Sequence, residues 1–299
     1  MPLSAASSLP ARVGGYLLER FPPAAYAVLV TVFTASALRV AGHLGAQAPA
    51  PAAWLAAPVL FLVFLHLRVF DEHRDAARDL LAYPERLLSR GVVTLDLLRR
   101  MAFGAIALEA VLALAMGGRA FFGWLLVLAF TVAMRFEFGV GRRLEGHIVT
   151  YALVHNPVIA LMGLFVWAAS GVPWSPAFVA WIVAVSAAAL AFEIGRKIRL
   201  PEEEIPGSET YSLALGRRDA GRLLRGVLLV SVAAGLFSVH LIDCTVDCDP
   251  LRKGAGAALV AASGLWAALR SRSGCPSKAV EGGATLHLAG ALAGLGVAA

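Results

Sequence analysis

Charge is what this chain most lacks. Asp, Glu, Lys and Arg make up only 15% of its 299 residues, whereas soluble domains carry about a quarter. Hydrophobic residues reach 59% and the mean hydropathy is +0.74, a composition that in water would leave broad apolar patches exposed. A water-soluble domain is thereby excluded and a polytopic membrane protein implied. Lysine is scarcer still, three residues against 23 arginines. No Lys/Arg-rich block interleaved with aromatics occurs, so the net charge of +6 is not that of a nucleic-acid binder. The Arg, Ala and Gly bias leads us to expect a bacterial plasma membrane as its home. Cysteine is limited to Cys244, Cys248 and Cys275, without CxxC or zinc-ligand spacing. The first two offer a local disulfide, a loose metal site, or incidental thiols in a polar loop; Cys275 is expected to be free.

Long apolar sequence is abundant instead. Stretches at 24–44, 52–70, 97–116, 119–134, 147–168, 176–192, 222–241, 255–270 and 283–299 each approach the ~20 residues that span a ~30 Å hydrocarbon core. They predict an all-α bundle of about nine transmembrane helices forming one domain over 1–299. Placing the N-terminus and every second loop on one side puts 21 Lys and Arg there. The other side has Arg119, Arg252 and Lys253, while Arg39 and Arg68 fall within spans. This asymmetry predicts a cytoplasmic N-terminus. Ala46-Gln47-Ala48 resembles a signal-cleavage site, but Pro49 follows it and the preceding apolar run is longer than a signal core, so 24–44 reads as a true span. Residues 14–23 read as a short interfacial helix stopped by Pro22 and Pro23.

The polar residues are concentrated in two inner loops, 71–96 and 193–221, a distribution that suits an enzyme working at the cytoplasmic face. Read as a helical continuation of the second span, the first loop carries Asp71, Glu72, Asp75 and Asp79. Glu72, Asp75 and Asp79 follow i, i+3, i+7, and Asp71, Asp75 and Asp79 follow i, i+4, i+8, so both sets are expected along one face. Like charges so spaced destabilise a bare helix, and a divalent cation among them removes that penalty; carboxylate and water ligands suit Mg²⁺. The bland alternative is a solvated helix end neutralised by Arg74 and Arg78.

The segment from Asp71 to Asp79 resembles the NDxxDxxxD motif at the end of the second span of UbiA-type intramembrane prenyltransferases. Asp71 stands for the Asn, Glu72 for the first Asp, and Asp75 and Asp79 match. The following YPERLLSRGVVT (83–94) is similar to that family's RPLPSGxVT segment through Pro84, Arg86, Ser89, Gly91 and Thr94. The family's second acidic motif has aspartates four apart after the sixth span. Here residues 192–216 keep Gly207-Ser208-Glu209-Thr210 and Leu215-Gly216, but the acids are Glu193, Glu202, Glu203 and Glu204. Arg196, Lys197 and Arg199 take ground where the family often has acids. A P-loop and the DGxxAR signature of alcohol phosphotransferases are both missing.

The resemblance implies that two acidic loops hold Mg²⁺ and the diphosphate of an isoprenyl substrate, whose allylic cation is captured by a lipophilic or aromatic acceptor. On that reading the metal ligands are Asp71, Glu72, Asp75, Asp79, Glu193, Glu203 and Glu204. Arg135, Arg196 and Lys197 are the candidate diphosphate ligands, since Arg suits bidentate phosphate contacts. In the fifth span Tyr151 and His155 share a face at i, i+4 beside Asn156, as a cation-stabilising aromatic and a proton acceptor, and Pro157 is expected to kink that helix. Glu109, inside the third span, is expected to pair with Arg39 or Arg68. A terpene cyclase on the same fold, capturing the cation within its own chain, competes with the transferase. A transporter or non-catalytic protein is disfavoured because the charge clusters lie at one face rather than at the midplane.

Overall fold

The computed structural model describes residues 4–43, 50–144, 146–204, 208–242, 250–272 and 275–299, apart from the side chains of His43, Arg78 and Arg142. Among these the secondary structure is entirely helical. The helices are α1 (Leu9–Arg20), α2 (Pro23–His43), α3 (Ala56–Ala82), α4 (Leu95–Ala115), α5 (Gly118–Arg135), α6 (Gly141–Leu144), α7 (Ile148–His155), α8 (Pro157–Ser170), α9 (Pro176–Gly195), α10 (Tyr211–Leu215), α11 (Arg217–Leu241), α12 (Pro250–Arg270) and α13 (Ser277–Ala298). Each of the nine apolar stretches lies on one helical segment, the fifth divided into α7 and α8. Six segments are long and apolar enough to cross a membrane by length and composition: α2, α3 with its preceding turn, α5, α7 with α8, α9 and α11. Outward-facing Phe103, Phe122 and Phe237 suit a hydrocarbon surround, and the chain is an integral membrane protein. The Ala46-Gln47-Ala48 site and the Cys244 and Cys248 pair lie outside the described residues; Cys275 is a free thiol.

Helix boundaries follow local chemistry. α1 is capped by Phe21 and α2 opens on Pro23, where the missing N–H costs nothing. The hydroxyls of Thr94, Ser175 and Thr210 accept the backbone N–H of Leu97, Phe178 and Leu213, capping α4, α9 and α10. Gly171, at φ 76°, closes α8 in the left-handed conformation that glycine adopts without penalty. The predicted kink at Pro157 is a break: α7 stops at His155, α8 restarts at Pro157, and Asn156 Nδ2 donates to the Ser186 carbonyl at 3.2 Å.

α9 is buried around most of its circumference and packs against α2, α8, α11 and α13. Trp181 on it lies 5.2 Å from the rings of both Phe33 and Phe178 and donates to Ser36 Oγ at 2.9 Å. The buried acid of α4 finds a different partner from the one expected. Glu109 accepts from His66 at 2.8 Å and from Trp124 Nε1 at 2.9 Å, while the other His66 nitrogen meets Thr131 Oγ at 3.0 Å. Arg39 is exposed and Arg68 is engaged by Glu72. A network joining three helices thus satisfies an acid that would be costly alone in hydrocarbon.

α12 and α13 approach closely through small residues, the packing mode of helices in lipid. A methyl group on Gly256 would stand 2.6 Å from Ala298 Cβ and closer still to the Gly294 carbonyl oxygen. Replacing Gly256 by Ala is expected to force the pair apart at a cost of about 1–3 kcal/mol. A lower midpoint of thermal unfolding in detergent would register it, and an unchanged midpoint would show that these helices yield freely.

Candidate active site

α3 runs on to Ala82, so the acidic segment is the helical continuation that the spacing predicts. Its carboxylates nevertheless do not converge. Neighbouring residues leave a helix about 100° apart, so Glu72 points away from Asp71, and Asp79, two turns on, follows Glu72. Glu72 is only 1% exposed. Arg20 Nε of α1 and Arg68 donate to it at 2.8 and 2.7 Å, and Arg20 also lies 3.6 Å from Asp79. Arg86 is a second partner of Asp79, its guanidinium 3.5 Å from the Tyr83 ring centroid. Arg12 Nε donates to the Val92 carbonyl at 2.6 Å and the Leu87 N–H reaches Glu19 at 3.2 Å. α1 is therefore longer than the expected 14–23 helix and is clamped onto α3 and the 83–94 segment, with Tyr16 buried beneath it. Burial and the facing Glu72 push the Tyr16 phenol above its usual pKa, keeping it neutral.

The opposite side of α3 faces a cavity of about 470 Å³, within the range of small-molecule sites. Its body is apolar, walled by Leu29, Phe33, Phe64, Val185 and Leu292. Its polar end is built from four helices: Asp71 and Arg74 from α3, Arg135 at the end of α5, Tyr151 and His155 from α7, and Glu193, Arg196 and Lys197 at and just beyond the end of α9. Arg74 is the hub. It lies 3.1 Å from Asp71, forms two 3.0 Å hydrogen bonds to Asp75, and donates to the Tyr151 hydroxyl. Glu193 is held by Arg196 and, at 2.9 Å, by Lys197. Burial opposes the charge on Arg196, but the Glu193 carboxylate outweighs it and raises the guanidinium pKa. Arg135 has no carboxylate partner among the described residues; its nearest ring is Phe136, 5.9 Å away.

Tyr151 and His155 do share a face, their rings stacked at 3.9 Å. His155 Nδ1 lies 2.7 Å from the Tyr151 backbone carbonyl, which can only accept, so Nδ1 carries the proton. Nε2 is buried without a hydrogen-bond partner among the described residues and in the neutral ring presents a bare lone pair.

The second loop departs from expectation. Glu203 accepts the Leu200 N–H at 3.3 Å, and Ser277 with that N–H holds its carboxyl below the usual range. Glu204 accepts the Thr210 hydroxyl at 2.9 Å. Both fold the loop before α10 and neither lines the cavity. Gly207 of that loop is outside the described residues. Among the described residues no group of three or more His, Cys, Asp or Glu is gathered to hold a metal ion. Of the seven carboxylates expected to share Mg²⁺, only Asp71 and Glu193 line the mouth, each already beside a cation. The bland alternative named Arg74 as a neutralising charge, and it does pair with Asp71 and Asp75; what the sequence reading missed is its place in the cavity lining.

No family model and no curated protein matches the sequence. Two solved structures do match in fold. A digeranylgeranylglyceryl phosphate synthase is 13% identical, with 95% of this chain and 99% of that chain covered at a TM-score of 0.62. The apo structure of a UbiA homolog from Aeropyrum pernix K1 is 18% identical, with 90% and 96% covered at a TM-score of 0.62. The fold is that of UbiA-type membrane proteins, as the resemblance of segment 71–79 implied.

Glu72 separates a structural from a ligating role. Its replacement by Gln leaves Arg68 without its salt-bridge partner and Arg20 with Asp79 alone at 3.6 Å, at an expected cost of about 2–3 kcal/mol, below that of a fully enclosed pair because both arginines are partly exposed. Unfolding in detergent should show the loss with or without Mg²⁺. A ligand would instead show stability unchanged and metal affinity lost.

Proposed function

We propose that the protein is an intramembrane prenyltransferase that takes an isoprenyl diphosphate and passes its isoprenyl group to a lipophilic or aromatic acceptor. The observation that carries this reading is the polarity of one cavity on a UbiA-like fold: an apolar body suited to an isoprenoid tail ends in a cluster of arginines and lysine suited to a diphosphate. The mouth lies at the ends of α3, α5 and α9 that belong to the Lys/Arg-rich side, which the positive-inside rule assigns to the cytoplasm.

In this scheme the allylic C–O bond breaks and its electron pair leaves with the diphosphate. Arg74, Arg135, Arg196 and Lys197 at the mouth stabilise the charge that grows on the diphosphate oxygens. The apolar wall keeps water from quenching the cation, and the faces of Phe33, Phe64 and Tyr151 stabilise it. The acceptor's nucleophilic carbon or oxygen bonds to the cation, and the proton it releases goes to His155 Nε2. Mg²⁺ is implied by the resemblance, but the carboxylates among the described residues do not form a cage for it.

Replacing His155 by Gln is expected to lower product formation by about 10²–10⁴-fold while leaving affinity for the diphosphate within a factor of a few. Mass spectrometry of products, with and without quinone-like or glycerol-based acceptors, checks the reading. Coupled product supports the transferase, and a cyclic hydrocarbon formed without acceptor would assign the cyclase. Intact diphosphates of every chain length would overturn both.

A further inference from the structure

The carboxylates and the basic groups at the mouth are out of balance for a metal cage. Among the described residues two acids line it, Asp71 and Glu193, against four basic groups, Arg74, Arg135, Arg196 and Lys197. Glu72 and Asp79 are on the far side of α3, taken up by Arg20, Arg68 and Arg86. Asp75 is held by two hydrogen bonds from Arg74. Four residues beyond Glu193, where the resembling family places its second acid, stands Lys197, and it pairs with Glu193 at 2.9 Å. With Asp75 counted as well, these groups still sum to a net positive charge, which opposes a dication and attracts a bare diphosphate.

We propose that this chain grips the diphosphate of its substrate directly through Arg74, Arg135, Arg196 and Lys197, with no divalent cation required for binding. The inference rests on the isoprenyl diphosphate reading above and adds how that group is recognised. Arg135 is ready without exchange, having no carboxylate partner among the described residues. Arg74, Arg196 and Lys197 are held in place by Asp71, Asp75 and Glu193, which act as internal counter-ions. When the ligand enters, these basic groups trade carboxylate oxygens for phosphate oxygens, charge-assisted hydrogen bonds of the same kind. The planar fork of arginine allows two contacts at once. The carboxylates are thus placeholders that compete with the substrate, whereas in a metal cage they would be its anchors. The two arrangements predict opposite signs for the same substitution.

The test is calorimetric titration of the purified full chain in detergent with geranylgeranyl diphosphate and with inorganic pyrophosphate, in EDTA and in saturating Mg²⁺. Equal affinity for the prenyl diphosphate in both media, within about threefold (under ~0.7 kcal/mol), is expected. Arg135→Gln should weaken binding about tenfold or more, the share of one charge-assisted hydrogen bond, and Lys197→Gln provides a second variant should the first unfold. Glu193→Gln should tighten binding severalfold by removing a competitor. Binding only with Mg²⁺, or its abolition by Glu193→Gln in a protein that still melts cooperatively, overturns the metal-free grip and leaves the isoprenyl diphosphate reading standing. Failure of both ligands to bind in either medium overturns that reading as well.

Discussion

A carboxylate at the edge of a hydrocarbon slab must be neutralised before the helix carrying it can end there, and α3 carries four within nine residues. The structure meets this demand with arginines rather than with a single shared cation. Arg20 arrives from α1, Arg68 from one turn earlier, Arg86 from the following loop and Arg74 from among the acids themselves. Much else depends on this pairing. It draws α1 down over α3, orders the 83–94 segment, and divides the acids between a structural face and a cavity face. The cavity's polar end is what remains once the other side has been sealed.

The same logic recurs at the end of α9, where Glu193 organises Arg196 and Lys197, and deeper in the bundle, where Glu109 is satisfied by His66 and Trp124. These sites differ in what they leave available. The Glu109 network is closed on every side and joins α3, α4 and α5 as a polar rivet. The mouth is open to the cavity, and its pairs are exchangeable because phosphate oxygens offer basic side chains the same contacts as carboxylates do. Buried charge serves architecture in one place and, under the proposed function, recognition in the other. The difference lies in whether a cavity adjoins it.

Much of the fold was legible in the sequence because hydrophobic length is a local property. The nine apolar stretches, the helical run through 71–79, the shared face of Tyr151 and His155, and the interruption at Pro157 all follow from spacing or from one residue's covalent geometry. Partners were not legible where they come from far along the chain. Arg20 reaches Glu72 across 52 positions and His66 reaches Glu109 across 43, and no periodicity in α3 or α4 announces either. Glu203 and Glu204 misled for the opposite reason: acids in a charged loop resemble ligands until the loop's own N–H and hydroxyl groups are seen to need them. Lys197, four residues after Glu193, was visible from the start as a departure from the resembling motif. The structure gives that departure a physical meaning by placing the lysine on the glutamate.

The proposed function requires one cavity to hold an isoprenoid tail in its apolar body with the phosphate end at the basic mouth. Photo-crosslinking with an isoprenyl diphosphate analogue carrying a diazirine near the tail terminus, followed by peptide mapping, addresses it most directly. Label on Phe33, Val185 or Leu292, displaced by unlabelled isoprenyl diphosphate, is the predicted result. Label confined to lipid-facing residues such as Phe103, Phe122 or Phe237, and indifferent to competitor, would contradict it.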